Sequence, residues 1–182
     1  MAASGEAVPA NLAGVHILIA TTGALSPEPV AEFTARLVGD DGRVSVITVI
    51  EVPRTFLEDI RSEEWHPLNA DAGEVVWAPQ EDALISRYVE ERGKRLTEPV
   101  LSALDAAGIT PEVLYVEGED PAERIGAVTK RLGVDAIVLG ATRQIFADAA
   151  WESVSTRVIR ECGVPVLVVP ATPRNGPAGD PD

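Results

Sequence analysis

Residues 116–141 read VEGEDPAERIGAVTKRLGVDAIVLGA, and their punctuation decides the architecture. An apolar run, VLYV (113–116), leads in. Asp120 then stands where a helix N-cap belongs, with Pro121 in the first turn and Glu123 three residues after the cap, close to a capping box. Ile125, Val128 and Leu132 follow at helical spacing and give that helix one buried stripe. AIVLGA (136–141) is apolar on successive residues, as a strand covered on both faces is. Strand, helix and strand in so short a span make a parallel βαβ unit, whose crossover is right-handed.

The same alternation extends in both directions. VHILIA (15–20), VSVITVI (44–50) and PVLVV (165–169) are further buried-strand runs. Ser26 precedes Pro27 as a hydroxyl cap, and Val30, Phe33 and Leu37 supply the stripe of the first helix. A long amphipathic segment over 81–107 carries Ile85, Val89, Leu96 and Leu104 on one side, and Pro99 is expected to kink or interrupt it. Val154, Val158 and Ile159 face the core from the last helix, which stops at Gly163 before Pro165. The order predicts an α/β fold: a doubly wound, five-stranded parallel sheet with helices on both faces. Ligands on such sheets bind beyond the carboxyl ends of the strands, where the winding reverses. Here those ends are 21–24, 50–53, 117–119 and 140–143.

A chain of 182 residues suits one domain with a core that needs neither disulfide nor metal. We expect the domain at 13–170, after a flexible segment at 1–12 and before a Pro-, Gly- and Asp-rich tail at 171–182 that should be disordered. An insert at 51–80 holds Pro53, Pro67, Pro79, Trp65 and Trp77. It reads as a packed excursion pinned by its tryptophans, with FLEDI (56–60) as one helical turn, and alternatively as a lid or a surface for a protein partner. Together with Glu81 and Asp82 it carries nine acidic residues against Arg54 and Arg61, half of the net charge of −14. That charge repels phosphate backbones and anionic lipid, which argues against nucleic acid and membrane partners. A single cysteine, Cys162, excludes an internal disulfide and a cysteine-based zinc site. No apolar run has the length of a membrane span, so no membrane insertion is expected and the cytoplasm is the expected compartment.

Residues 138–156, VLGATRQIFADAAWESVST, pose the functional question. A buried strand runs into Gly140, and Ser153, Ser155 and Thr156 open a helix. A glycine at a strand end and a hydroxyl-rich helix start are the parts of a phosphate site, yet few glycines lie between them.

The stretches 116–141 and ESVSTRVIRECGVPVLVV (152–169) resemble the universal stress protein family: a glycine-acidic-proline-alanine helix start, a strand like DAIVLG, a helix opening SVS, and a last strand PVLVV. The resemblance extends to 15–23 and 44–52. It implies an adenine-nucleotide-binding α/β fold (also that of adenine nucleotide alpha-hydrolase-like proteins), a homodimer, and a role in stress response. The implied nucleotide contacts are Thr22, Gly23, Val49, Gly140, Thr142, Arg143, Ser153, Val154 and Ser155. The implied dimer surface is the last strand, Val166, Leu167, Val168 and Val169, an apolar edge with unpaired backbone groups.

Members that bind ATP have an aspartate after the first strand, and after the fourth a glycine-x-x-glycine, nine residues, then glycine-serine/threonine. This chain has Thr22 for the aspartate, Arg143 for the second glycine and Glu152 for the last, with eight residues (144–151) between. Glycine matters there because it reaches positive φ and lets backbone N–H groups approach phosphate oxygens. Arg143 covers that backbone, and the Glu152 carboxylate repels a phosphate. Arg143 can instead bind phosphate through its own guanidinium. In the alternative, Ser153 caps its helix and Arg143 pairs with Glu152 or Asp148. His16, His66 and Cys162 read as structural residues. No metal ligand set and no nucleophile elbow appear.

The sequence thus reads as a non-enzymatic regulatory binding module with weak or absent ATP binding and no obligatory cofactor, acting through dimerisation and partner contacts. The alternatives are an adenine-nucleotide sensor, for ATP or cAMP, using Arg143 and the Ser153 helix start; a slow nucleotide hydrolase; and a subunit of a larger assembly bound through the acidic insert.

Overall fold

The computed structural model describes residues 14–53, 78–140 and 153–170. Its strands are β1 (His16–Ala20), β2 (Arg43–Ile50), β3 (Glu112–Glu117), β4 (Ala136–Gly140) and β5 (Val166–Val169), and its helices α1 (Pro27–Val38), α2 (Ala78–Ala106), α3 (Pro121–Leu132) and α4 (Val154–Glu161). The expected alternation is present, and all strand pairs are parallel in the order β3-β2-β1-β4-β5. The winding reverses between β1 and β4. FLEDI, Trp65, Trp77, His66 and the expected terminal segments lie outside the described residues.

The sheet divides its side chains by the period of two. Ile17, Ile19, Val44, Val46 and Val138 face Val30, Val38, Val100 and Leu104 of α1 and α2. Leu18, Ala20, Ile47, Ile137 and Leu139 face Ala122, Ile125, Val128 and Val158 of α3 and α4. The continuous apolar runs have this cause: β1 is buried at every position, and β4 at its three central ones. The edge strands, with the apolar runs VLYV and VLVV, are only half-covered.

Local signals explain the helix boundaries, with corrections. Asp120 caps α3 as expected, accepting from the N–H groups of Ala122 and Glu123, and Gly133 closes the helix in the left-handed region. Ser26 has the extended backbone of a cap but makes no capping side-chain bond; its hydroxyl donates to Pro170 O at 3.5 Å. The buried side of α1 is Val30, Ala31, Thr34 and Val38, so Phe33 and Leu37 point outward, contrary to the sequence reading. Thr34 hid this face by being a polar residue at a buried position. Pro99 does not interrupt α2, which runs through it as one element. Ile159 is exposed in α4, where Ser155 and Val158 are the buried positions. That helix ends at Glu161 with Cys162 as its cap, short of the expected Gly163.

Candidate functional site

The carboxyl ends of β1, β2 and β4 lie side by side because β1 is the central strand. In register, Ala20 pairs with Ile47 of β2 and with Leu139 of β4. Gly140 is therefore level with Thr21, and Val49 lies just beyond on the other side. The sheet brings Thr22, Gly23, Val49 and Gly140 to neighbouring strand ends. Thr142 and Arg143 lie outside the described residues, as do Asp148 and Glu152.

The turn after β1 is tightly determined. The Thr21 N–H donates to Ile47 O at 3.0 Å, extending the sheet by one bond. Its hydroxyl accepts from the Gly23 N–H at 3.0 Å, closing a small side-chain turn. Gly23 has φ +83°, and a Cβ there would stand 3.2 Å from Leu96 Cδ2 of α2. Both its conformation and its close neighbour call for glycine. Thr22 is left exposed at the apex. Leu25, buried, crosses to the end of β4, where a Cβ on Gly140 would meet its Cδ2 at 3.3 Å. Gly140 thus keeps bare backbone at the switch point.

The start of α4 is a closed hydroxyl cluster. Ser153 Oγ accepts from the Thr156 N–H at 3.2 Å and lies 3.0 Å from Ser155 Oγ and 2.9 Å from Thr156 Oγ1. Ser153 is the helix cap, and its oxygen serves its own helix. Val154 is half-buried and packs on the core beside Val158.

One charged pair at this end was not visible in the sequence. Arg157 Nη1 donates to both carboxylate oxygens of Asp120, at 2.9 and 2.8 Å, joining the first turns of α3 and α4. Thirty-seven residues separate the partners, so only the folded topology reveals them; the aspartate had been explained fully by capping. The Arg157 hydrogen bonds, aided by the Glu123 N–H, hold the Asp120 carboxyl below its ordinary range. Glu161, bonded to Arg157 and Arg160, is lowered too. Burial pushes the Cys162 thiol up, with Glu161 adding to it, so a nucleophilic thiolate is disfavoured. His16 belongs to the opposite end of the sheet, in hydrogen bond with Ser45 at 2.9 Å. No group of three or more potential metal ligands occurs among the described residues, and no described helix is long and apolar enough to cross a membrane.

An open parallel sheet whose winding reverses between β1 and β4 defines a doubly wound α/β protein. Residues 15–170 match the universal stress protein family, and the chain belongs to that family. Among similar solved structures, a universal stress protein family member from Burkholderia pseudomallei is 21% identical, with a TM-score of 0.55, covering 90% of this chain and 100% of its own. A universal stress protein in complex with cAMP is 16% identical, with a TM-score of 0.52, covering 88% and 99%. An Arabidopsis thaliana family member with AMP bound is 15% identical, with a TM-score of 0.50, covering 91% and 97%. No curated protein matches the chain. At these identities the likeness is one of fold.

Proposed function

We propose that this chain is a non-enzymatic regulatory module of the universal stress protein family, with one domain over 13–170, whose nucleotide crevice binds ATP weakly or not at all. The observation that carries the reading is the turn after β1. Its apex is Thr22, a neutral side chain where binders place a carboxylate, and the adjacent hydroxyl of Thr21 is engaged by the Gly23 N–H. The missing bond to a charged acceptor is worth about 1.5–3 kcal/mol. Ser153 and Thr156 bond each other, and Arg157 is held by Asp120, so these groups meet an incoming phosphate already partnered. Glu152 adds a negative charge to the sequence that precedes the cap.

The module works as a homodimer through β5. Among the described residues that strand pairs with β4 alone, and it bears no charge. The other edge, β3, begins and ends with glutamate, and charge on an edge strand resists pairing.

A second reading, an adenine-nucleotide sensor using Arg143 and the Ser153 helix start, is favoured by the two related structures that hold cAMP and AMP. Calorimetric titration of ATP with Mg²⁺ separates the two. Low-micromolar binding by the wild type, abolished in Arg143→Ala, supports the sensor; its absence supports the degenerate site.

A further inference from the structure

Exposed apolar side chains gather around one edge of the molecule. Of the seven large hydrophobic side chains exposed among the described residues, five border β5. Leu167 and Val168 belong to the strand itself. Leu167 is in register with Val138, whose side chain packs in the core beneath α1, so Leu167 stands on the α1 face of the sheet. Val168, next in the strand, stands on the α4 face.

The other three come from the helices on either side of that strand. On one face, α2 packs against α1 and covers β2 and β3. One flank of α1 is covered at Ala31 and Ala35, and its outward side carries Glu28, Glu32 and Arg36, the last two paired at 3.8 Å. Phe33 and Leu37, one turn apart, occupy the remaining flank at 39% and 43% exposure. That flank is turned away from α2 and toward β5, and the Ser26 hydroxyl ties the start of α1 to Pro170 O at the end of β5. On the other face, Arg157 reaches Asp120 of α3 at 2.8 Å, which fixes the α3 side of α4. Ile159 is two residues on and so rotated by about 200°. It lies on the opposite flank, beside β5, and is 53% exposed.

We propose that the surface for a second copy of this chain is three layers deep: β5 at its centre, Phe33 and Leu37 of α1 on one face of the sheet, and Ile159 of α4 on the other. The inference rests on the homodimer reading above and extends it from a strand edge to both helical layers. Two observations choose a second copy as the occupant. A stable interface buries about 800 Å² per partner, and the four residues of β5 supply only a small part of that. The chain also carries a net charge of −14, so two copies approach best over a surface without charge. All five side chains are uncharged, and a basic partner finds no carboxylate among them. Pairing about a two-fold axis sets each helix flank opposite the same flank of the other copy.

The test is sedimentation velocity of the full chain over a concentration series, with Phe33→Gln, Leu37→Gln and Ile159→Gln beside the wild type. Each should raise the dimer dissociation constant about five- to thirtyfold, because each removes apolar burial twice per dimer. Glutamine is a good helix former, so the exposed positions should keep their helices, as far-UV circular dichroism checks. Phe33→Leu, which keeps the flank apolar, should change the constant less than about threefold, and so should Arg36→Gln on the outward side of α1. If one variant loses helix, the other two carry the test. Glutamine variants that dimerise as well as the wild type, while Val168→Lys is monomeric, would overturn the three-layer surface and leave the β5 edge standing. Equal weakening by Arg36→Gln would overturn it too. A monomeric wild type would overturn the homodimer reading itself and leave these flanks to a foreign partner.

Discussion

Replacing Val168 by lysine tests the proposed dimer surface at one of its two most exposed strand residues. Leu167 and Val168 are each 37% exposed in the isolated chain. As consecutive strand residues they project from opposite faces, so an edge-to-edge partner is needed to cover both. Fully burying a Val or Leu side chain is worth about 1.5–3 kcal/mol, so covering the remaining third yields about 0.5–1 kcal/mol per residue. Two copies of Val168 thus contribute about 1–2 kcal/mol of apolar burial, or roughly five- to thirtyfold in dissociation constant. Lysine at both positions removes this and adds like charges near the two-fold axis, while its ammonium leaves the monomer free to fold at a solvent-facing site. Sedimentation velocity across a concentration series should show a wild-type dimer at micromolar protein and a Val168→Lys variant shifted to monomer by at least that factor. Far-UV circular dichroism should be the same for both. A monomeric wild type, or a variant that dimerises as well as the parent, would refute the reasoning.

Gly93 of α2 lies against the ring of Tyr115 in β3, where an added Cβ would fall 2.3 Å from Cδ1. Gly93→Ala gains up to about 1 kcal/mol of helix propensity but overpacks at a cost of about 1–3 kcal/mol, so a net loss is expected in denaturant unfolding. A stabilised variant would show that the ring yields freely. The Asp120 carboxyl is held low by Arg157, so its stabilising share is complete above the unfolded aspartate value of about 3.9 and is lost as pH falls through the lower folded value. The stability difference between wild type and Asp120→Asn should be flat above about pH 5 and shrink only in stronger acid. A gap that closes between pH 7 and 5 would contradict the assignment.

The strands and the α3 start were legible because their causes are local: continuous apolar runs, and an aspartate, proline and glutamate in capping order. What the sequence concealed depends on neighbours. The runs VLYV within β3 and VLVV of β5 are as apolar as β1, and only topology makes them edges. The α1 face was misread because Thr34, fully buried, looks like a surface residue, whereas Phe33 looks like core. At the site, the strand-end glycines and the Ser153 cap were readable from spacing. The Arg157–Asp120 pair was not, since each partner already had a sufficient local explanation.

The central claim, a family crevice that no longer holds ATP well, meets its most direct test in calorimetric titration of Mg²⁺-ATP into the wild type, Thr22→Asp and Glu152→Gly. The account predicts no low-micromolar binding by the wild type and a gain of about ten- to a hundredfold on restoring the aspartate, from one hydrogen bond to a charged acceptor. Low-micromolar affinity in the wild type, unchanged by Thr22→Asp, would contradict it.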